Sequence, residues 1–272
     1  MFNKPIVAED LEKRVSAKLI AKRVVVFQTL GSTNDFAKRL AQNGEGCGTL
    51  ILTNEQTEGH GRQGRRWYAP ANAGLWFSII LEPTQPTDMF GLVSLLAAVA
   101  LAKTIERITF LSPALKWPND VLINSKKVSG ILLESQFSNN RSVSLVLGIG
   151  INVNQKQTDF PEEIRQTATS LRAQTKHAID RVSLLIDFLH NLEYFYLKFN
   201  DGNFGLIIDA WKERCPFLGK DISLQQNKDE IIGRFENLDE YGRMALRLHN
   251  GQMKYLSAGE PNFIQRGEQC YS

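Results

Sequence analysis

The chain has 272 residues, enough for one large hydrophobic core and a smaller second one. Hydrophobic residues are 43% and charged residues 22%, the balance of a folded globular chain and not of a disordered one. A net charge of +3 does not by itself indicate a nucleic-acid partner, which needs a clustered basic patch.

Met1–Ala21 lacks the apolar run, roughly 7–15 residues long, of a secretory signal. The longest apolar stretch, near Leu92–Ala102, is interrupted by Ser94 and is too short to span a bilayer, so no membrane association is expected. Cys47, Cys215 and Cys270 are widely spaced and form no Cys-x-x-Cys pair; they read as thiols of a reducing, cytoplasmic compartment. His60, His177, His190 and His249 form no His-x-x-x-His pair, which argues against a zinc site built by the protein. The absence of a Gly-x-Ser-x-Gly elbow excludes a hydrolase of that design.

In chain order, Val24–Gln28 is short and β-branched and reads as a strand. Ser32-Thr33-Asn34 then offers N-cap residues, with Phe36, Ala37, Leu40 and Ala41 at helical spacing before Asn43-Gly44. Thr49–Thr53 and Leu75–Leu81 read as strands, and Asp88 is expected to cap a long apolar helix ending near Arg107. Val121–Asn124, Lys127–Glu134 and Ser142–Ile149 read as strands joined by Asn-Ser and Asn-Asn turns. Asp180 is expected to cap a helix carrying Val182, Leu185, Leu189, Leu192, Tyr196 and Phe199 on one face. A shorter helix, Phe204–Arg214, stops at Cys215-Pro216. Beyond it, alternating segments with turns expected at Gly219, Gly233, Gly242, Gly251 and Gly259 resemble a small β-barrel. The expected division is an N-terminal extension 1–22, a main domain 23–215 and a small domain 216–272.

The most informative segment is Gly59-His60-Gly61-Arg62-Gln63-Gly64-Arg65-Arg66-Trp67. Its Gly-x-Gly-x-x-Gly pattern is not a dinucleotide site, because a further strand follows and not the helix that would hold a pyrophosphate. Walker A spacing fails as well, since Arg65-Arg66 stand where Lys and Ser/Thr are required. The glycines still permit close approach of an anion, the arginines suit phosphate and carboxylate, and Trp67 offers a flat face to a nucleobase. Ordering such a loop costs on the order of 10 kcal/mol of backbone entropy, so a loop that closes over its ligand is expected. A solvated basic hairpin is the plain alternative.

A second constellation comprises Lys116-Trp117-Pro118-Asn119-Asp120, Lys127-Val128-Ser129-Gly130-Ile131-Leu132, and Gly148-Ile149-Gly150-Ile151-Asn152-Val153-Asn154. Taken singly these are a turn, a solvated lysine at a strand end, and glycines marking a close approach.

Read together with Ser32-Thr33-Asn34 and Gln56, these motifs resemble, in order and approximate spacing, the biotin–protein ligase family. The resemblance runs by motif from about Gln28 to Asn154 and by architecture to the C-terminus. It implies an α+β fold, with a central mixed β-sheet flanked by helices on one side and a small C-terminal SH3-like β-barrel. It also implies two half-reactions. Biotin and ATP form biotinyl-5′-AMP with Mg²⁺ assisting, and the biotin then passes to a lysine of a biotin carboxyl carrier protein.

Carried over by motif, Ser32, Thr33, Asn34 and Gln56 bind the ureido end of biotin. His60, Gly61, Arg62 and Gly130 lie along its chain. Lys127 sits on the carboxylate and α-phosphate, and Arg62, Arg65, Trp67, Lys116, Asn119 and Asn152 contact the nucleotide. Lys127, Arg62 and Asp120 are the expected catalytic residues, Asp120 being the candidate base for the carrier lysine. No metal site is expected from protein ligands alone; Mg²⁺ comes with ATP, near Asn119 and Asp120.

Two departures stand out. His60 replaces the family's usual arginine, and a neutral imidazole attracts phosphate less than guanidinium, so a modestly weaker affinity is expected. Only about 22 residues precede the first strand and can form at most one helix, so DNA binding and repression are not expected. A homodimer stays open, as does the role of the C-terminal barrel.

Three alternatives remain. A lipoate or octanoate ligase shares the catalytic fold. A nucleic-acid-binding regulator is disfavoured by Phe217–Ser272, where 7 basic residues face 8 acidic ones. An inactive biotin-binding protein is disfavoured by the intact Arg62, Lys127 and Asn119-Asp120 set.

Overall fold

A computed structural model describes residues 3–15, 17, 19–44, 46–137, 143–226 and 229–263. The expected Asn139-Asn140 turn and Cys270 lie outside the described residues.

Seven strands form the main sheet: β1 (Arg23–Phe27), β2 (Thr49–Thr53), β3 (Gly74–Leu81), β4 (Ala114–Lys116), β5 (Asp120–Ile123), β6 (Lys126–Phe137) and β7 (Val143–Asn152). Their order is β1-β2-β3-β7-β6-β5-β4. Only β1 and β2 run parallel and every other pair is antiparallel, which makes the sheet mixed. Val24–Gln28 thus forms one residue earlier than expected, and β4 was not foreseen. The Asn-Ser turn between β5 and β6 puts Asn124 and Ser125 at φ 49° and 61°, the left-handed pair that a two-residue hairpin turn requires.

Among the described residues seven α-helices accompany the sheet: α1 (Ala8–Glu12), α2 (Thr33–Gln42), α3 (Gly91–Thr109), α4 (Glu162–Arg165), α5 (Leu171–Thr175), α6 (Arg181–Asn200) and α7 (Phe204–Lys212). Strand alternation sorts them into layers. Leu75, Phe77, Ile79 and Leu81 of β3, with Leu145, Leu147, Ile149 and Ile151 of β7, join α3, α6 and α7 in the large core. The intervening Ile80 and Val146 face the other way and pack with Ala37 and Ala41 of α2. The sheet therefore carries helices on both faces, not on one, although the second face is only partly covered.

Asp88 does not cap α3. It lies in a 3-10 turn, Thr87–Met89, and Phe90 occupies the N-cap position. Counted with that turn, Thr87–Thr109 is long and apolar enough to cross a membrane, contrary to the expectation of a short stretch. However, 72% of its apolar window is buried inside the fold, the pattern of a core helix. Asp180 caps α6 as expected, its carboxylate accepting from the amides of Val182 and Ser183 at 3.0 and 3.4 Å. The described residues ahead of β1 include the short α1, and Ile6, Leu11 and Ile20 among them are buried in the large core and so pack against the main domain.

A second, five-stranded antiparallel sheet follows: β8 (Asp221–Gln226), β9 (Asp229–Leu238), β10 (Met244–Leu248), β11 (Met253–Leu256) and β12 (Glu260–Phe263), ordered β11-β10-β9-β8-β12. Gly219, Gly242, Gly251 and Gly259 have positive φ. Gly233 is not at a turn. It sits within β9, opposite Leu248 and Ile222, where a Cβ would come within 2.6 Å of the Arg247 carbonyl oxygen. The sheet docks on the main domain through Trp117, whose Nε1 donates to the Gly242 carbonyl at 3.1 Å, and through Trp211 against Phe235.

The Asp180 cap sets a stability test. Burial opposes ionisation of this carboxyl, but hydrogen bonds from Ser183 and Val182 outweigh it and hold its pKa below the usual value. A lowered folded pKa means stability present above the unfolded value of about 3.9 and lost as pH falls through the folded one. Asp180→Ala should cost about 1 kcal/mol at neutral pH. The deficit should narrow below about pH 4, as read by urea unfolding across pH.

Candidate active site

The site lies on the face of the main sheet that α3, α6 and α7 leave uncovered. Facing residues of neighbouring strands place Gly130, Gly148 and Gly150 together there, Gly130 being paired with Gly150, and Gly148 with both Leu132 and Ser78. Each absent side chain makes room for a neighbour. A Cβ on Gly148 would lie 2.0 Å from Asn34 Oδ1, one on Gly150 would lie 2.4 Å from Trp67 Nε1, and one on Gly130 would lie 3.0 Å from the Trp67 ring. The close approach expected at Gly148 and Gly150 is thus made by two side chains.

Above the glycines sits the first turn of α2. Ser32 caps the helix, accepting from the Asp35 amide at 3.3 Å. Thr33 donates to Gln56 Oε1 from its amide (2.8 Å) and its hydroxyl (3.0 Å). Gln56 is held in place by a parallel bridge to Leu30 just beyond β1 and β2. Ser32, Thr33 and Asn34 are all buried. Behind them Ser78 of β3 reaches Thr33 Oγ1 at 2.7 Å and Asn34 Oδ1 at 2.5 Å.

The Gly59–Trp67 segment is a tethered hairpin. The Gly61 amide donates to the Arg65 carbonyl at 2.7 Å and the Trp67 amide to the Gly59 carbonyl at 2.8 Å. Gln63 and Gly64 turn the chain with φ of 58° and 71°. Arg62 donates to Asn119 Oδ1 at 3.3 Å and to the Gly259 carbonyl at 3.5 Å, while Arg65 pairs with Glu260 at 2.6 Å. The loop is therefore anchored to both sheets. His60 points toward α2, with Nε2 3.8 Å from Asp35. Trp67 lies across the glycines, edge-on to Trp76, and among the described residues its Nε1 has no hydrogen-bond partner.

The charged centre is the pair Lys127–Asp120, 2.6 Å apart. A register shift between Val121 and Leu122 sets Asp120 opposite Gly130 and Leu122 opposite Lys127. Lys127 is fixed further by a parallel bridge to Ala168, its amide donating to the Thr167 carbonyl and its carbonyl accepting from the Thr169 amide. Its Nζ is 5.5 Å from the Trp67 ring centroid. Asn119 donates to the Ile131 carbonyl at 2.6 Å, and Lys116 reaches Asn262 of β12 at 3.4 Å. Burial pushes the pKa of Arg62 and of Lys116 below their usual values, against the pull of Asp120 and Glu260. Glu260 is held low by the hydrogen bond from Arg65. Asn152 accepts from Gln155 at 3.1 Å.

These elements enclose one cavity of about 610 Å³. Every site residue expected from the sequence borders it: Ser32, Thr33, Asn34, Gln56, His60, Gly61, Arg62, Arg65, Trp67, Lys116, Asn119, Asp120, Lys127, Gly130 and Asn152. Five cations, Arg66 among them, and two carboxylates share it with a neutral hydrogen-bonding set at α2. Such a site suits a ligand with one polar uncharged end and a strongly anionic end. Among the described residues no group of three or more His, Cys, Asp or Glu side chains could hold a metal ion.

The model of the biotin/lipoate A/B protein ligase family matches residues 26–152. The bifunctional ligase/repressor BirA of Bacillus subtilis is 34% identical over 260 residues, which are 95% of this chain and 80% of that protein. The chain belongs to the biotin/lipoate A/B protein ligase family. The biotin–[acetyl-CoA-carboxylase] ligase of Mycobacterium tuberculosis is 33% identical over 242 residues, covering 87% of this chain and 86% of that protein. The solved biotin protein ligase from Aquifex aeolicus in complex with biotin and ATP superposes with a TM-score of 0.77 at 31% identity, covering 90% of this chain and 100% of that one.

Sequence motifs of a biotin/lipoate ligase do not disclose the whole cavity. Phe160, Ile164 and Thr167 reach it from the segment around α4, and Glu260 and Asn262 from β12. Ser78 and Glu134, alternate residues of β3 and β6, gave no signal beyond ordinary strand positions.

The glycine floor is testable. Gly150→Ala drives a methyl into the Trp67 ring and should lower stability by about 1–3 kcal/mol in urea unfolding, with a shift in Trp emission that vanishes in a Trp67→Phe background. Gly205→Ala in α7, where nothing lies within 4 Å, should not destabilise.

Proposed function

We propose that this ligase activates biotin with ATP and attaches it to a lysine of a biotin carboxyl carrier protein. The observation that carries the reading is a single cavity holding a neutral donor–acceptor set at α2 together with a cation cluster around Lys127. The solved relative with biotin and ATP supports it. Residues 23–215 act as the catalytic domain, and 216–272 as an SH3-like domain whose β12 completes the cavity.

Ser32, Thr33 and Gln56 bind the ureido ring, with Asn34 behind them. His60, Gly61, Arg62 and Gly130 flank the acyl chain. Arg62, Arg65, Trp67, Lys116, Asn119 and Asn152 hold the nucleotide. In the first step a biotin carboxylate oxygen attacks the α-phosphorus, the bond to the bridging oxygen of the β-phosphate breaks, and pyrophosphate leaves. Two anions must meet, so Lys127 and Arg62 lower their repulsion and stabilise the charge that builds up in the transition state. Lys127 exchanges Asp120 for the incoming anions, which frees the carboxylate.

Asp120 and Asn119 offer oxygen donors for Mg²⁺, which takes one or two carboxylates and completes its shell with phosphates and water. When bound, the ion neutralises phosphate charge. In the second step the carrier lysine, whose side chain ordinarily titrates near pH ~10.4, must lose a proton before its nitrogen attacks the acyl carbon and AMP departs. Asp120 accepts that proton.

ATP–pyrophosphate exchange with Mg²⁺ tests the reading. Exchange dependent on biotin is expected. Exchange with lipoate alone would move the chain to lipoate activation, and biotin binding without exchange would make it a binding protein. For the base role, Asp120→Asn should slow transfer from isolated biotinyl-5′-AMP to a carrier by roughly 10²–10⁴-fold. A variant slowed only in exchange assigns Asp120 to the first step instead.

A further inference from the structure

One hydrogen-bonded chain runs from the surface to the α2 end of the cavity. Lys38 contacts Glu134 Oε1 at 2.9 Å and Asp35 at 2.8 Å. Glu134 Oε2 accepts from Asn34 Nδ2 at 2.8 Å. Asn34 Oδ1 is 2.5 Å from Ser78 Oγ, which is 2.7 Å from Thr33 Oγ1, which is 3.0 Å from Gln56 Oε1. Ser78, Thr33 and Asn34 are 0%, 3% and 4% exposed, so water does not compete for these protons.

The proton positions follow from what each group can do. An ionised carboxylate only accepts, so Asn34 must turn its NH₂ to Glu134 and its oxygen to Ser78. An amide oxygen only accepts, so the single Ser78 proton goes to Asn34. Thr33 must then donate into the protein, to Ser78 or to Gln56. Either way its oxygen has only lone pairs left for a ligand. Gln56 Oε1 is occupied by the Thr33 amide at 2.8 Å, which leaves its Nε2 to donate. The result is one acceptor and one donor side by side, the complement of an N–H next to a carbonyl in a cyclic urea. The bare α-carbon of Gly148 permits this arrangement, since any side chain there would strike Asn34.

We infer that Glu134, separated from Thr33 by Asn34 and Ser78, is a positioning residue that sets the donor–acceptor sense of the urea-binding end through those two groups. Lys38 supplies its counter-charge. Glu134 touches no reacting atom, so its influence falls on recognition and not on chemistry. This rests on the biotin-activating function proposed above.

The test compares wild type, Glu134→Gln, Ser78→Ala and the double variant, using direct biotin titration and biotin-dependent pyrophosphate exchange. A glutamine at 134 can donate as well as accept, so Asn34 is no longer held in one orientation. Biotin Kd should rise about tenfold in Glu134→Gln, with kcat at saturating biotin and KM for ATP within twofold of wild type. The preference for biotin over 2-iminobiotin, which replaces the urea oxygen by nitrogen, should shrink. The double variant should bind biotin no more weakly than Ser78→Ala, because both changes break the same chain. Unchanged biotin Kd, a fall in kcat matching the rise in Kd, or additive losses in the double variant would each overturn the inference. If Glu134→Gln fails to fold, Ser78→Ala carries the test by the same split between Kd and kcat. A wild-type protein that binds no biotin refutes the proposed function itself, a result distinct from all of these.

Discussion

Successive side chains of a β-strand point to opposite faces, and here that alternation separates stability from function. On β3 and β7 the odd-numbered residues Phe77, Ile79, Leu147 and Ile149 pack in the core with α3, α6 and α7. The even-numbered Gly148 and Gly150 border the cavity, and Ser78 lies beneath Asn34. A one-residue slip of β7 would turn leucines into the site and glycines into the core. The long β3–β7 and β6–β7 pairings therefore hold the site's register as well as the fold.

The floor has a cost. Glycine in a strand is worse than alanine by roughly 0.5–1 kcal/mol, and three such positions meet here. The charges add to it, since burial disfavours the ionised forms of Arg62 and Lys116. Asp120 and Glu260 offset part of that penalty. The large apolar core across the sheet supplies the stability against which these local losses are set.

Much of this was legible in the sequence because it is local. Ser32 and Asp180 cap helices as their types predict, and Asn124-Ser125 makes the expected turn. The candidate site residues were found as short motifs and converge on one cavity. What escaped depends on distant partners. Asp88 looks like an N-cap, yet the 3-10 turn moves the helix start to Phe90. Gly233 looks like a turn, yet a neighbouring backbone presses against it in mid-strand. Ser78 and Glu134 resemble any strand polar residue until sheet register brings them to α2, 44 and 100 residues from Asn34 in sequence.

The clasp between Arg65 and Glu260 joins the hairpin to β12 by side chains that are 63% and 44% exposed. An ion pair so open to water contributes about 0–1 kcal/mol, comparable with thermal energy of roughly 0.6 kcal/mol. A fastening of that strength holds the hairpin to β12 without locking it there. Its hold also weakens as dissolved salt screens the two charges. This link between the hairpin and the second sheet is therefore sensitive to the ionic strength of the surroundings.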